Sequence, residues 1–237
     1  MNITNADIKN LKDKKFKKEN GIFLVEGEKF CRDLLSADIE ILQTITTNKN
    51  LKGFPNIEIV SEKMLTSLAT TKTCQNIVCV CKIKEYGMSS VGNALILDNL
   101  QDPGNVGTLI RSAMAFGFED IYLVNCADVF SEKVIRSSAG TILNARLHTC
   151  SFADIKENRN VIAKNFIVAD MDGESINQIR LPKGRFAVII GNEGRGVSEE
   201  FENFANIKIA IPMKAGVESL NAGVAGSIIM QKLGEIN

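Results

Sequence analysis

Short apolar runs alternate with amphipathic stretches through the first third of the chain. Four of these runs have the length and composition of strands: residues 21–27, 41–47, 57–61 and 76–84. Between the first two, residues 28–38 place Phe30, Leu34 and Leu35 at helical spacing, and residues 62–70 form a second helical stretch. Alternating strands and helices predict a small α/β layer domain in this part of the chain.

The alternation restarts after a short polar segment, residues 87–93, which we interpret as a linker between a domain over 1–86 and a domain over 94–237. In the second domain, strands are predicted at 94–98, 120–125, 166–170, 186–191 and 207–212. Helices are predicted at 106–118, 131–140, 198–205 and 218–236. Because strand–helix–strand repeats build parallel sheets, we expect an α/β fold with a mostly parallel sheet covered by helices on both faces.

Charge is divided unevenly between the two predicted domains, although the formal net charge of the chain is zero. Residues 1–93 hold 14 Lys and Arg against 11 Asp and Glu, and residues 94–237 hold 14 against 17. Six lysines lie within ten positions: Lys9, Lys12, Lys14, Lys15, Lys17 and Lys18. They are compatible either with a solvated helix face or with a surface that contacts RNA.

The cysteines do not form a metal-binding pattern. None of the six Cys belongs to a CxxC pair, and His148 is the one His of the sequence, so a zinc site is not expected. Cys79 and Cys81 fall on one face of a predicted strand and are expected to be buried thiols. The N-terminus lacks the apolar region of a signal peptide, and no apolar stretch reaches the roughly 20 residues that span a bilayer. We therefore expect a reduced, cytoplasmic protein.

Three segments follow predicted buried strands and carry the polar and glycine residues of a candidate site: 98–111, 189–196 and 211–221. Ligands bind beyond the carboxyl ends of parallel strands, so the three segments could form one site. None of them contains the GxGxxG of dinucleotide-binding proteins or the GxxxxGK[ST] of a P-loop. Taken singly, each is also compatible with an ordinary turn between a strand and a helix.

Together, the three segments resemble the motifs of the SpoU/TrmH family of RNA 2′-O-ribose methyltransferases, in the SPOUT superfamily. The motif DPxNxGxxxR is matched by Asp102, Pro103, Asn105, Gly107 and Arg111. The motif GxEGxG is matched by Gly191, Glu193, Gly194 and Gly196. The motif IPMxxxxxSLN is matched by Ile211, Pro212, Met213, Ser219, Leu220 and Asn221. In the first domain, FLVEGEKF resembles the FxxEG segment of the substrate-binding domain of this family, which has a ribosomal-protein-like RNA-binding fold.

The resemblance implies an enzyme that uses S-adenosyl-L-methionine to methylate a ribose 2′-hydroxyl of RNA. It also implies a C-terminal domain with a trefoil knot and a homodimer. The sizeable N-terminal domain is similar to that of the ribosomal-RNA branch, so the expected substrate is large-subunit ribosomal RNA. No metal is expected, because a sulfonium is already an excellent leaving group. The cofactor-binding residues implied by position are Gly191, Asn192, Gly196, Ile211, Met213 and Leu220.

The resemblance also implies the catalytic residues: Arg111, Glu193, Ser219, Asn221 and Asn105. Since a guanidinium keeps its proton up to a pKa above about 12, we expect Arg111 to orient the ribose and stabilise the developing alkoxide. Glu193 and Ser219 are expected to hold Arg111, and Asn105 is expected to hold the ribose or a nearby phosphate. Arg111 is expected to approach the ribose across the dimer interface.

The sequence departs from the pattern of the family at a few positions, of which Gly223 is the closest to the expected site. The family often has Ser there, and Asn76 stands where a Gly is frequent.

Three alternative interpretations of the function remain open. The substrate could be transfer RNA, or the chain could be a non-catalytic RNA-binding or ribosome-associated protein. A nucleotide-dependent oxidoreductase is disfavoured by the absent GxGxxG.

Overall fold

A computed structural model of the chain describes residues 3–71, 75–180, 182–214 and 216–234. The chain folds into two compact units. The first comprises residues 1–84 together with 130–136, and the second comprises 85–129 with 137–237. Cys74 and Ala215 lie outside the described residues.

The first unit contains a four-stranded mixed sheet. Its strands are β1 (Ile22–Glu26), β2 (Ile41–Thr46), β3 (Ile57–Ile59) and β4 (Ile77–Lys82), in the order β1-β4-β2-β3. Its helices within residues 1–84 are α1 (Asn5–Asn10), α2 (Lys14–Asn20), α3 (Glu28–Asp33) and α4 (Glu62–Leu68). Cys79 and Cys81 are fully buried in β4, which confirms the expectation of buried thiols.

One lysine of the Lys-rich segment is buried rather than solvated. The Lys17 ammonium donates to the carbonyl of Phe130 at 3.0 Å, and only 5% of the residue is exposed. The ring of Phe130 lies 4.4 Å from that of Phe23. The other five lysines are exposed, so the candidate basic surface loses one member because a distant segment covers it.

The second unit is built on a six-stranded sheet in which every pairing is parallel. The strands are β5 (Ala94–Asp98), β6 (Asp120–Val124), β7 (Arg146–Cys150), β8 (Asn165–Ser175), β9 (Phe186–Ile190) and β10 (Ile207–Ala210). Their order is β10-β8-β9-β5-β6-β7.

The helices that follow α4 along the chain are mostly those of the second unit. They are α5 (Pro103–Ala115), α6 (Glu132–Ser137), α7 (Phe152–Glu157), α8 (Arg159–Ile162), α9 (Glu199–Phe204) and α10 (Ala222–Gly234), with a 3₁₀ turn at Thr141–Asn144. Of these, α6 belongs almost entirely to the first unit, through the segment 130–136.

Helices cover both faces of the six-stranded sheet, as expected. Ile189 packs in a cluster with Ile155, Ile162 and Phe201, which come from α7, α8 and α9. Its neighbour Ile190 points to the opposite face because side chains alternate along a strand. There it meets α5 and α10, which pack against each other. The α/β fold with a parallel sheet is confirmed, and the trefoil knot stays a prediction.

Several elements differ from the sequence-based expectation. Helix α5 begins at Pro103 rather than near Val106, because the Asp102 carboxylate caps it and Pro103 is suited to the first helical position. Helix α10 begins at Ala222 rather than at 218, so Ser219 precedes it. The elements β7, α7 and α8 were not predicted. Strand β7 has one fully buried residue among its five, so it lacks the apolar run that reveals a central strand.

The order of the strands locates a crevice. The chain proceeds outward from β5 through β6 to β7, then returns to place β8, β9 and β10 on the other side of β5. In open parallel sheets, ligands bind where the order reverses, beyond the carboxyl ends of the strands. This point lies between β5 and β9, and the segments after both strands belong to the candidate site. Within the described residues, no helix is long and apolar enough to cross a membrane.

Candidate active site

The segment after β5 is shaped by the cap of α5. The Asp102 carboxylate accepts a hydrogen bond from the backbone N–H of Asn105 at 3.0 Å. A Cβ on Gly104 would lie 2.7 Å from the same carboxylate oxygen, so a larger residue at that position would displace the capping carboxylate. As a result, Asn105 lies in the first turn of α5 and not in a loop.

The segment after β9 is a tight loop organised by Asn192. The backbone N–H and C=O of Asn192 exchange hydrogen bonds with Gly196, both at 2.9 Å. Its side-chain oxygen accepts from the N–H groups of Gly194 and Arg195, and its side-chain nitrogen donates to the carbonyl of Asn99 at 2.9 Å. All the polar groups of Asn192 are therefore used within the protein, which points to a structural role for this side chain.

Two glycines of this loop meet different requirements. Gly196 has φ +72°, a conformation that side chains other than Gly rarely adopt. Gly191 has no such φ, but a Cβ there would lie 2.3 Å from the backbone of Gly196 and Val197. Close approach of two backbone segments thus explains the first glycine, and the left-handed conformation explains the last.

A buried carboxylate ties the two segments together. Asp98, at the end of β5, is 1% exposed and accepts from the backbone N–H of Ser198 at 2.7 Å. Its other oxygen accepts from the side chain of Asn99 at 2.6 Å. Asp98 therefore fixes the start of α9 relative to β5, although Ser198 lies 100 residues further along the sequence.

Three of the proposed catalytic side chains lie together at the entrance of α5 and α10. The Asn105 amide donates to the Glu193 carboxylate at 2.8 Å. A Cβ built on Gly223 would lie 3.1 Å from the Asn221 side-chain oxygen and 3.3 Å from that of Asn105. Asn105, Glu193 and Asn221, one from each motif, thus surround one small region beyond the strand ends.

The comparisons with known proteins identify the family of the chain. The model of the SpoU rRNA Methylase family matches residues 92–231, which is more than half of the chain. The chain belongs to the SpoU rRNA methylase family. A second model, the MRM3-like substrate binding domain, matches residues 5–79. The expectation of a SpoU/TrmH methyltransferase is therefore confirmed.

Several relatives of this SpoU methylase cover nearly its whole length. The 23S rRNA (guanosine(2553)-2′-O)-methyltransferase RlmP of Bacillus subtilis is 30% identical over 96% of this chain and 94% of its own. A putative RNA methyltransferase of the TrmH family from Porphyromonas gingivalis is 26% identical, with a TM-score of 0.85 and full coverage of both chains. An AdoMet-bound rRNA methyltransferase from Sinorhizobium meliloti, at 23% identity, shares the fold with a TM-score of 0.86 over 98% of this chain and 94% of its own.

Two of the proposed catalytic residues of this SpoU methylase stand apart from that group. Arg111 is exposed on α5, and the Ser219 side chain is exposed ahead of α10. Within the part of the chain that the structure describes, neither side chain has a hydrogen-bond partner. The Glu193 carboxylate, expected to hold Arg111, is instead bonded to Asn105. The expected support of Arg111 by Glu193 and Ser219 is therefore not formed within one chain.

The positions proposed for the cofactor lie in the segments that follow β9 and β10. Gly191 is buried, whereas Ile211, Met213 and Leu220 are half-buried. Among the described residues of 211–221, one backbone hydrogen bond forms inside the segment, from Val217 to the carbonyl of Lys214 at 3.3 Å. Most backbone N–H and C=O groups of this segment are therefore available to a ligand.

The SpoU methylase departs from its family at Gly223, and the structure gives the reason. A Cβ at this position would meet Asn221, Asn105 and Thr108 at 3.1–3.3 Å, which is closer than ordinary van der Waals contact. The side-chain oxygens of Asn105 and Asn221 therefore both lie beside a residue that has no side chain. The other departure, Asn76, has φ +58°, and Asn is among the few residues that replace Gly in that conformation.

Close packing between α5 and α10 holds this arrangement in place. The hydroxyls of Ser112 and Ser227 lie 2.7 Å apart, and Ser227 also donates to the carbonyl of Gly223 at 2.6 Å. A Cβ on Gly226 would lie 2.3 Å from the Leu109 side chain, so only glycine permits this approach. The small residues of α10 are explained by this packing.

A cavity of about 630 Å³ opens beside the site, between the segments after β5 and β9. Six of its eight lining residues have polar side chains; the lining consists of Asn99, Gln101, Asn192, Arg195, Gly196, Val197, Ser198 and Glu199. Asn99, Gln101 and Glu199 were not singled out from the sequence, and neither was the anchoring role of Asp98. The sequence signal that could have indicated these residues is the pair Asp98 and Asn99, because two polar residues directly follow the apolar run of a buried strand.

Proposed function

We propose that the chain transfers a methyl group from S-adenosyl-L-methionine to a ribose 2′-hydroxyl of large-subunit ribosomal RNA. The observation that carries this proposal is the meeting of Asn105, Glu193 and Asn221, one from each motif, beyond the strand ends. Membership of the SpoU family and 30% identity to a 23S rRNA 2′-O-methyltransferase over nearly the whole chain support it. An rRNA substrate would place the enzyme in the cytoplasm.

The residues present fit the proposed cofactor. The backbone groups of 211–221 are largely unused, and an adenosine moiety can be recognised by backbone donors and acceptors. Gly191 and Gly196 keep the loop after β9 compact, so that its backbone lies close to the same region. We propose that Gly191, Gly196, Ile211, Met213 and Leu220 hold the cofactor, and that Asn192, whose polar groups are bonded within the protein, contributes to this site by fixing the shape of the loop. Its sulfonium supplies an activated methyl group, and no metal is required.

The side chains of the chain would then position the acceptor hydroxyl. The amide of Asn105, held by Glu193, offers its oxygen to a ribose hydroxyl. Asn221 uses its side-chain oxygen to cap α10 at Val224, which leaves its NH₂ group free to donate to the substrate. Fixing the hydroxyl in line with the methyl group removes orientational freedom before the reaction and thereby raises its rate.

Arg111 would stabilise the charge that develops on the ribose oxygen as its proton leaves. A guanidinium is always protonated, so it acts as a donor and not as a base. Ser219 is the other proposed donor. Both side chains are exposed and lack partners within the described residues of one chain. They are therefore available to groups from outside the chain, such as RNA or a second copy.

A homodimer would complete such a site, and the exposed faces of α5 and α10 support it. Val224 and Ile228, at i and i+4 of α10, are 48% and 39% exposed, and Val217 just before the helix is 50% exposed. On α5, Arg111 lies on the exposed stripe with Thr108 and Ala115. Association through this apolar face would bring Arg111 of one copy towards the loops of the other.

We propose that residues 1–86 bind the RNA substrate and that 87–93 link them to the methyltransferase domain over 94–237. The match of residues 5–79 to a substrate-binding domain supports this role. The buried Glu26 of the FLVEG segment accepts hydrogen bonds from Thr70 and Thr71, so the motif stabilises the fold of this unit. The five exposed lysines near the N-terminus are then candidates for phosphate contacts.

The test is methyl transfer from radiolabelled S-adenosylmethionine to 23S rRNA, with the product mapped by mass spectrometry. We expect Arg111→Ala to lose about 100-fold or more in kcat/KM, because one stabilising donor is removed. Affinity for S-adenosylmethionine, measured by calorimetry, should be unchanged. The matched control is Arg180→Ala, another exposed arginine of the same unit.

Three results would contradict the proposal. Substantial turnover by Arg111→Ala would remove its catalytic role. Modification of transfer RNA instead of ribosomal RNA would overturn the substrate. Absence of S-adenosylmethionine binding by the wild-type chain would indicate a non-catalytic RNA-binding protein.

A further inference from the structure

The cavity between the segments after β5 and β9 offers hydrogen-bonding groups that the proposed reaction does not use. Its lining residues Gln101, Arg195 and Glu199 belong to neither the proposed cofactor set nor the proposed catalytic set, whereas Asn192 and Gly196, which also line the cavity, belong to the proposed cofactor site. None of its lining residues comes from the described part of segment 211–221, where the cofactor is proposed to bind. The cavity lies at the reversal of strand order, where parallel sheets bind ligands.

The internal hydrogen bonds determine which groups remain free. The Asn99 nitrogen donates to the Asp98 carboxylate at 2.6 Å, and the Gln101 nitrogen donates to the Asn125 carbonyl at 2.6 Å. Carboxylates and carbonyls only accept, so the orientation of both amides is settled. Gln101 also donates to the Asn99 carbonyl at 3.4 Å, so both of its N–H groups are occupied, whereas Asn99 keeps one N–H. Within the described residues, neither side-chain oxygen accepts a hydrogen bond, so both oxygens are left for a ligand.

Two charged side chains complete the set. Glu199 adds a carboxylate, which only accepts, and Arg195 adds a guanidinium, which only donates. Among the described residues, neither side chain has a hydrogen-bond or ion-pair partner. The cavity thus presents acceptors from Asn99, Gln101 and Glu199 and one strong donor from Arg195. A carboxylate in this lining also disfavours a phosphate group as the occupant.

We infer that this cavity binds a guanine base of the substrate RNA. Guanine is the only standard base whose Watson–Crick edge carries two adjacent donors, N1–H and N2–H₂, and a carboxylate such as Glu199 can accept from both. An arginine is well suited to the O6 and N7 acceptors of the same base. Adenine, cytosine and uracil each offer one donor group on that edge, so they would leave acceptors of the cavity unpaired.

This inference rests on the proposed function, because it takes the ligand to be the RNA substrate. Proteins that recognise RNA sequence bind unstacked bases by their edges, and an open cavity next to a catalytic site suits such a base. The guanine belongs either to the methylated nucleotide or to a neighbour that positions it, and both cases make the cavity a determinant of specificity.

The first experiment measures binding of nucleoside monophosphates to the full chain by calorimetry. We expect GMP to bind about tenfold more tightly than inosine monophosphate, which lacks only the 2-amino donor, and more tightly than AMP, CMP or UMP. Glu199→Gln should remove the preference for GMP over inosine monophosphate. The matched control is Glu200→Gln, which neutralises the adjacent exposed carboxylate that does not line the cavity.

The second experiment distinguishes RNA from a free guanine nucleotide as the source of the base. Synthetic RNA fragments around the methylated position carry inosine in place of each guanosine in turn. One substitution should weaken RNA binding by about tenfold in the wild-type chain and have no effect in Glu199→Gln. Fragments that all bind equally well would overturn the assignment to RNA.

Equal affinity for all five monophosphates, or no binding of GMP, would overturn the inference. Monophosphate binding requires neither the cofactor nor methyl transfer, so its failure is separate from failure of the proposed function. A chain that has no methyltransferase activity but still prefers GMP would refute the proposed function and support the guanine site. An active chain without the preference would refute only the guanine site.

Discussion

Substitution of Gly191 by Ala tests the structural reason for the glycines in the loop after β9. The two glycines Gly191 and Gly194 both belong to the family motif, and neither has a left-handed φ. A Cβ at Gly191 would lie 2.3 Å from the backbone of Gly196 and Val197. Ordinary contacts of a Cβ begin near 3.4 Å, so the loop would have to move by about 1 Å.

The magnitude follows from what this movement disrupts. Backbone atoms cannot turn aside as a side chain can, so the cost should fall at the upper end of the range for overpacking, about 3 kcal/mol. The displaced loop would also lose the paired hydrogen bonds between Asn192 and Gly196 and shift Glu193 away from Asn105. We therefore expect Gly191→Ala to lose most methyltransferase activity.

The control is Gly194→Ala, because a Cβ there would meet only the Asn192 side-chain oxygen, at an ordinary 3.7 Å. Its free energy of unfolding should equal that of wild type or rise by up to about 1 kcal/mol, since Ala restricts the unfolded chain. Urea unfolding monitored by circular dichroism measures both variants. Equal midpoints for Gly191→Ala and wild type, or equal losses in the two variants, would refute the reasoning.

Three further predictions concern the surroundings of the site. Asp98→Asn should lower the free energy of unfolding by about 1–3 kcal/mol in urea, because its buried oxygens accept from the Ser198 backbone and the Asn99 side chain. Gly223→Ala should reduce kcat/KM more than it reduces stability, because the added Cβ lies 3.1 Å from Asn221. For Asp120, whose pKa is held below its ordinary value, Asp120→Asn should be destabilising at pH 7, and the difference should shrink below about pH 4.

The sign of the last prediction follows from the environment of Asp120. Burial alone would raise its pKa, but hydrogen bonds from the His148 ring at 2.9 Å, the Val91 N–H at 2.8 Å and the Arg146 guanidinium at 2.7 Å outweigh it and lower the pKa. The contribution of Asp120 to stability is therefore present above the unfolded-state pKa and lost as the pH falls through the folded-state pKa.

Each of the three predictions has a result that would contradict it. An unchanged urea midpoint for Asp98→Asn would show that the carboxylate is not an anchor. Gly223→Ala with unchanged kcat/KM would show that Asn105 and Asn221 do not need the space beside Gly223. A difference between wild type and Asp120→Asn that is as large at pH 3 as at pH 7 would contradict the role of the ionised carboxylate.

Much of the fold and of the site can be predicted from the sequence alone. Buried strands such as β5 and β9 are apolar throughout, and their limits were predicted to within a residue because a continuous apolar run is a local signal. The three motifs were recognisable because their glycine, proline and amide residues answer local demands, such as the cap at Asp102 and the turn at Gly196.

Pairing between distant segments was decided by the tertiary structure. The hydrogen bond between Asn105 and Glu193 joins residues 88 apart in sequence, and the sequence-based expectation assigned Glu193 to Arg111 instead. The burial of Lys17 by Phe130 depends on a segment 113 residues away. The residue type determines which hydrogen bonds a side chain can form. Only the folded backbone determines which of several suitable partners lies within hydrogen-bond distance.

Sequence and tertiary structure also determine different features of the candidate active site. The sequence by itself determined the α/β class, because this depends on the periodicity of apolar residues, and the resemblance of its three motifs to those of a known family predicted a methyltransferase. The tertiary structure decided that Asp98 anchors α9, that the side-chain oxygens of Asn105 and Asn221 both lie beside Gly223, and that the amide nitrogens of Asn99 and Gln101 are bonded within the protein. These features depend on which donors are already occupied, and that is a property of three-dimensional contacts and not of the order of residues.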